Sequence, residues 1–397
     1  MVILFDGASH NRFLPITYTR AVADLLIGIG TIRDKWEKLS GEKVGIYTRD
    51  YLQKTYPTPP NGNHIWISAS VIPGPDLLNF LKGLTQPATL KFKGEIIGYA
   101  GYPNDELTFN DGMINGPEKN ITDLPSSIQL FQIKNLWDLY KQNQEILVKD
   151  FKYFTEGLNS APIPDGNTII GDQIFLEEGA MMSATTINTT KGPVYLSKNT
   201  EIMEGALIRG GLFLGENSTI KMGAKLYGAL SIGSYCKIGG EVNNSIIHDY
   251  SNKGHDGYLG NSIVGSWCNF GADTNSSNLK NTYENVSVYD ISNQQYINSG
   301  EQFLGLIMGD HSKTGINTML NTGTVIGISA NIFGANFPPK YIPSFAWGGG
   351  SEWQTYLLDR ALNTAEKVMA RKQVILNPEM REIFAFLFEE TANDRNF

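Results

Sequence analysis

The middle of the chain carries an aliphatic residue at every sixth position: Leu196, Ile202, Ile208, Leu214, Ile220, Leu226, Ile232 and Ile238. An α-helix cannot use that spacing, because six steps of about 100° scatter the series over several faces. A β-strand can, since side chains alternate every two residues and six is even. Four residues after each aliphatic stands a second series, Thr200, Ala206, Leu212, Ser218, Ala224, Leu230 and Cys236, whose residue types repeat at eighteen. One turn of the chain is therefore read as three hexads, each a short strand and a corner. The rhythm is expected again at Ile170, Leu176 and Met182, at Tyr258, Val264 and Phe270, and at Met308, Thr314, Leu320, Ile326 and Ile332. Breaks are expected near 183–195, 240–257 and 275–305. Stacked three-sided coils of parallel strands would bury the aliphatic columns and leave the protruding loops to carry chemistry.

The flanks follow other rules. Residues 1–160 lack the hexad and read as a short, doubly wound α/β domain: Val2–Phe5, 44–48 and Ile65–Ser68 have the composition of buried strands, and 21–39 and 133–154 that of helices. The repeat domain is assigned to 161–340. A helical extension, 341–397, follows the Gly348-Gly-Gly350 hinge. Ser351 is expected to cap its first helix, with Trp353, Tyr356, Leu357, Leu362, Ala365 and Val368 on one stripe, and a second helix is expected over 378–391.

Composition narrows the function. A formal charge of −8 with no long run of like charges gives no footprint for nucleic acid or an anionic membrane, so a small molecule is the expected partner. Met1 leads directly into a strand-like segment, and no apolar stretch reaches membrane-spanning length, which gives a cytoplasmic expectation. Cys236 and Cys268 are too few for a disulfide framework or a four-ligand zinc site and are read as small core residues. The 42 glycines suit a fold with many tight corners.

The hexad pattern over about 165–335 resembles the hexapeptide-repeat, left-handed β-helix transferases. Within it, Lys253-Gly-His-Asp-Gly-Tyr-Leu-Gly260, then Asn269 and Asn278, resembles the acetyltransferase half of the bifunctional N-acetylglucosamine-1-phosphate uridylyltransferase/glucosamine-1-phosphate acetyltransferase family. The resemblance implies His255 as catalytic base and Glu241, Tyr258, Asn269 and Asn278 as substrate-binding residues. It also implies a homotrimer, with acetyl-CoA as cosubstrate lying between subunits near Asn317, Asn321, Thr322 and Ala330. A histidine base suits acetyl transfer to an amine, since unperturbed imidazole alone titrates near neutrality. The acceptor is expected to be an amino sugar, an amino-sugar phosphate or a sugar nucleotide, and oxygen acetylation stays open. Where the family holds the sugar phosphate with basic residues, this chain has Gly239, Asn243 and Glu284; Lys237, Lys253 and Lys280 are the candidates to replace them. His311 is the alternative base. His248, His255 and His311 do not have the spacing of a zinc carbonic anhydrase, and no metal site is assigned there.

Phe5-Asp-Gly7, then Arg12-Phe-Leu-Pro-Ile-Thr17, resembles the opening of sugar nucleotidyltransferases. It implies nucleotide binding by Gly7, Arg12 and Arg20, with Mg2+ accompanying a nucleoside triphosphate. The strand Ile65–Ser68, which in active enzymes would end in a metal-binding aspartate, runs into Ala69-Ser70 instead. Two functions are carried forward: an acetyltransferase with nucleotidyl transfer as a second activity, and a sugar-nucleotide-binding regulatory protein on the same scaffold without turnover.

Overall fold

The computed structural model describes residues 1–350 and 352–397. The chain divides into two compact units: one comprises 1–13, 19–25 and 31–136, the other 14–18, 26–30 and 137–397.

The first unit is an α/β domain on a six-stranded mixed sheet, ordered Gly45–Tyr47, Val2–Phe5, Ile65–Ser68, Glu95–Ala100, Ala88–Phe92 and Ile121–Asp123. The first three strands are parallel, as a doubly wound domain requires, but Glu95–Ala100 runs antiparallel to both neighbours. The helix expected over 21–39 begins only at Ile32 and runs to Ser40. Gly28 and Gly30, both with positive φ, break the segment, and Thr31 and Asp34 then form a reciprocal capping box.

The second unit is a parallel β-solenoid of about ten turns with helices after it. Its first face runs from Thr168–Ile170 through Glu241–Asn243, Tyr258–Gly260 and Asn275–Ser276 to Met319–Leu320. The second runs from Ile174–Leu176 to Tyr341–Ile342. The third begins at Met181–Met182, passes Lys237–Ile238 and Asn252–Lys253, and ends at Ala346–Gly349. All eight residues of the aliphatic series lie in one continuous core, with Leu196 paired to Leu214 and Leu214 to Ile232, one eighteen-residue coil apart. The second series is buried as well, with Leu212 and Leu230 opening strands and the others at corners.

Three details depart from the sequence pattern. Ile170 is 44% exposed, and its neighbour Ile169, opposite Ile187, faces the core instead. Leu259, not Tyr258, continues the inner column after Val242, so Tyr258 faces outward opposite Glu241. The segment 240–257 does not leave the solenoid: Ile232 pairs with Ile247 and Ile238 with Lys253, steps of fifteen residues, because these coils have shorter corners. The segment 275–305 does protrude and carries the hairpin Ser287–Asp290 with Gln295–Asn298.

At the end of the solenoid, Glu352–Thr355 is a strand antiparallel to Ala346–Gly349, so Trp353 belongs to a hairpin and Tyr356 follows it, neither lying on a helical stripe. A Cβ on Gly349 would meet the Phe333 carbonyl of the preceding rung at 1.4 Å, so glycine is required at this close approach. Ser351 lies outside the described residues. The helices follow at Leu358–Ala370 and Pro378–Glu390, the second capped by the Asn377 side chain. Among the described residues no helix is long and apolar enough to cross a membrane.

Candidate active site

His255 lies where the chain leaves the third face, after Asn252–Lys253, and turns toward Tyr258–Gly260 on the first. Successive rungs of this edge are tied by backbone bonds: Asp273 N–H donates to the Asp256 carbonyl at 3.1 Å and Asn317 N–H to that of Ala272 at 2.8 Å. The imidazole is exposed, whereas the loop beneath it is anchored. Lys253, buried in the inner column, sends its Nζ back to donate to the His255 carbonyl at 2.7 Å. Burial pushes the Lys253 ammonium down to about 8, against the opposing pull of Asp256 and Asp273. Lys253 is therefore a tether for the loop and is turned away from any external phosphate.

His255 and Asn269 line one cavity of about 440 Å³, with Asn252, Tyr250 and Trp267 on the same wall. Asn252 and Asn269 are consecutive outward positions of the third face, joined by a bridge. Arg371 and Lys372, immediately after the helix Leu358–Ala370, complete the lining. No motif marks them, and they lie more than a hundred positions from His255 in the chain; only the packing of Ala365, Met369 and Leu376 on Trp267 brings them here.

The other expected substrate residues form a second group. Tyr227 Oη donates to Glu241 Oε1 at 2.6 Å, and Asn278 Nδ2 donates to Tyr258 Oη at 3.0 Å and to Asn261 Oδ1 at 2.7 Å. A Cβ on Gly260 would meet the Tyr258 hydroxyl at 2.3 Å, so glycine makes the room in which that phenol lies. Both phenols titrate above the ordinary range: burial acts first, followed for Tyr227 by its bond to Glu241. They are hydrogen-bonding groups, not bases. Glu241 lines a different and larger cavity, about 740 Å³, with Arg209 and Lys225 but without a histidine. The smaller cavity, which holds the base, is the better candidate for chemistry.

Of the residues expected at the cosubstrate, Asn317 is exposed on the edge of His255. Asn321 and Thr322 lie at the corner between the first and second faces, where Gly323 N–H donates to the Leu304 carbonyl. The Ala330 methyl is in the core, and its N–H donates to Ser312 Oγ at 2.9 Å. His311 is buried between Trp267 and Phe384, and His248 is buried with Nδ1 bonded to the Val264 carbonyl while Nε2 accepts from Leu26 N–H. The three histidines thus occupy separate environments.

In the first unit, Gly7 has φ 57° and its N–H donates to the Gly112 carbonyl at 2.9 Å, so this amide is already engaged. Arg12 ends the single helical turn Ser9–Arg12 and is exposed, whereas Arg20 is buried. The buried Asp6 accepts from Val22 N–H at 2.8 Å and from Thr48 Oγ1 at 2.6 Å, and burial raises it to about 7. Ser68 and Ser70 are bonded to each other at the end of the central strand. No acidic residue follows that strand where the resemblance would put a metal ligand, and the Asp6 carboxyl is engaged by Val22 and Thr48.

Comparison with known proteins adds one family. Residues 2–159 match the sugar nucleotidyl transferase family. No curated protein matches the chain. Among solved structures, the chain is similar to an Arabidopsis UDP-N-acetylglucosamine acyltransferase (14% identity, 59% of this chain and 94% of that one, TM-score 0.28). It is also similar to the polySia-specific acetyltransferase NeuO (12% identity, 51% and 92%, TM-score 0.23) and to a Francisella novicida UDP-N-acetylglucosamine acyltransferase (16% identity, 57% and 76%, TM-score 0.20).

Proposed function

We propose that the solenoid is an acetyltransferase acting on an amino sugar, an amino-sugar phosphate or a sugar nucleotide, with acetyl-CoA as donor. The observation that carries this reading is the exposed His255 on an anchored loop, sharing a cavity with Asn269. His255 takes a proton as the acceptor amine attacks the thioester carbonyl; the new C–N bond forms, the C–S bond breaks, and the proton passes to the departing thiolate. The Glu241, Tyr258 and Asn278 group recognises sugar hydroxyls on the adjoining face. The donor lies along the edge marked by Asn317, between chains of a homotrimer in the cytoplasm.

The first unit is read as a nucleotide or sugar-nucleotide binding domain. The family match over 2–159 supports binding, and Ala69-Ser70 where a metal-binding acid would be needed favours binding without nucleotidyl transfer. The two units are tested separately. Incubation of the protein with acetyl-CoA and a panel of amino sugars, their phosphates and their sugar nucleotides should release free CoA thiol; no release across the panel would contradict the solenoid's assignment. Sugar nucleotides at well above micromolar concentration should raise the melting temperature, and no shift with any of them would contradict that of the first unit.

A further inference from the structure

Although the chain has 40 acidic residues against 32 basic ones, four cations line the cavity of His255: Lys221, Lys237, Arg371 and Lys372. They come from different parts of the sequence. Lys221 lies on the edge of His255, stacked above Gly239 and then Gly254, positions whose missing side chains leave the floor beside it bare. Lys237 precedes Asn252 and Asn269 in the outward column of the third face. Arg371 and Lys372 are delivered by the C-terminal helix. Among the described residues none of the four is in an ion pair with a carboxylate.

Gathering unpaired cations is unfavourable unless an anion joins them. The Lys372 ammonium reflects this, being lowered by burial and then by Lys237 and Arg371. The wall behind it is a stack of aromatic rings. Lys372 lies over the Tyr235 ring at 5.6 Å, Tyr235 stacks on Tyr250 at 5.0 Å, and Tyr250 on Trp267 at 3.9 Å. These three aromatics have φ of 59°, 64° and 61°, in the left-handed region that the preceding rungs fill with Asn199 and Asn217. Bulky residues are disfavoured there, so the ladder that seats the C-terminal helix is held at some backbone strain.

We propose that this cavity is a diphosphate-recognising site, in which the C-terminal helix supplies two of the four cations that hold the phosphates of the molecule presented to His255. It replaces the basic residues absent at Gly239, Asn243 and Glu284, and it assigns a phosphate-bearing class of ligand to the acetyl-transfer site, on whose reading it rests. The diphosphate belongs either to the acceptor, as a nucleotide-linked amino sugar, or to CoA.

Calorimetric titration of the full chain with inorganic pyrophosphate tests the site without requiring turnover. Wild type should bind at low ionic strength. The double substitution Lys237→Gln with Lys372→Gln should weaken binding by about tenfold or more, as loss of charge-assisted bonds implies. Lys237→Arg with Lys372→Arg should retain it. Should the double glutamine variant melt early, Arg371→Gln alone gives the same reading at an exposed position. No pyrophosphate binding by wild type, or equal binding by wild type and folded glutamine variants, overturns the proposal. In steady-state kinetics, a rise in KM confined to a nucleotide-linked amino sugar assigns the site to the acceptor, and one confined to acetyl-CoA assigns it to the donor. Pyrophosphate binding in a protein that never transfers acetyl groups would keep this site and remove the catalytic reading.

Discussion

Lys253 occupies a position that its neighbours along the column, Ile238 and Phe270, fill with hydrocarbon. An ammonium there costs desolvation, offset by its bond to the His255 carbonyl. Because burial lowers its pKa from 10.5 to about 8, the folded state binds fewer protons than the unfolded chain between those values, and its contribution to stability rises with pH across that window. Lys253→Met should remove that rise and leave the melting temperature at pH 7 equal or higher. It should also lower acetyl transfer on the order of tenfold, through loss of the loop's tether. Unchanged turnover, or a melting profile parallel to wild type above pH 8, would contradict the tether. Asp6 gives the opposite sign. Raised from 3.8 to about 7 by burial, it makes the folded state the better proton binder, so stability should fall as pH rises from about 4 to 7. Asp6→Asn should flatten that dependence in thermal melts, by on the order of 4 kcal/mol between its ends. A variant that keeps the wild-type slope would place the titration elsewhere.

Among the elements, the solenoid strands are held by columns, and the energetic contrast lies between inner and outer positions. Leu226→Ala, at 1% exposure, should cost about 2–5 kcal/mol in denaturant unfolding, whereas Leu207→Ala, at 52%, should cost within about 0.5 kcal/mol. Equal losses would mean that the six-residue spacing is not a core register. That spacing was legible because one inner contact recurs in every strand. Tyr258 departs from it because the inward step from Leu259 to Val264 is five residues, one short of a hexad, and an aromatic residue satisfies an apolar count whichever way it points. The aromatic ladder was not legible, since left-handed corners are signalled by Asn and Gly and Tyr235, Tyr250 and Trp267 give no such cue. The basic wall from Arg371 and Lys372 was not legible either, because two cations after a helix carry no periodic signal. His255 and Asn269 were legible as a motif, and the structure places both in one cavity. Glu241 lies apart in another.

At the scale of the whole molecule, the proposed function joins a nucleotide-binding unit to a solenoid whose edges carry acetyl transfer. A homotrimer is part of that proposal, and light scattering should return three times the chain mass of 43.9 kDa; a monomer would leave the donor groove without its second wall. The acetyl-transfer reading of the solenoid rests on one side chain, His255. The most direct measurement is therefore CoA release from acetyl-CoA, with the best acceptor of the panel, by wild type and by His255→Ala at matched folding. A loss of about 10²- to 10⁴-fold in kcat is expected for the variant, with its melting temperature preserved. Equal turnover by the two proteins would contradict it.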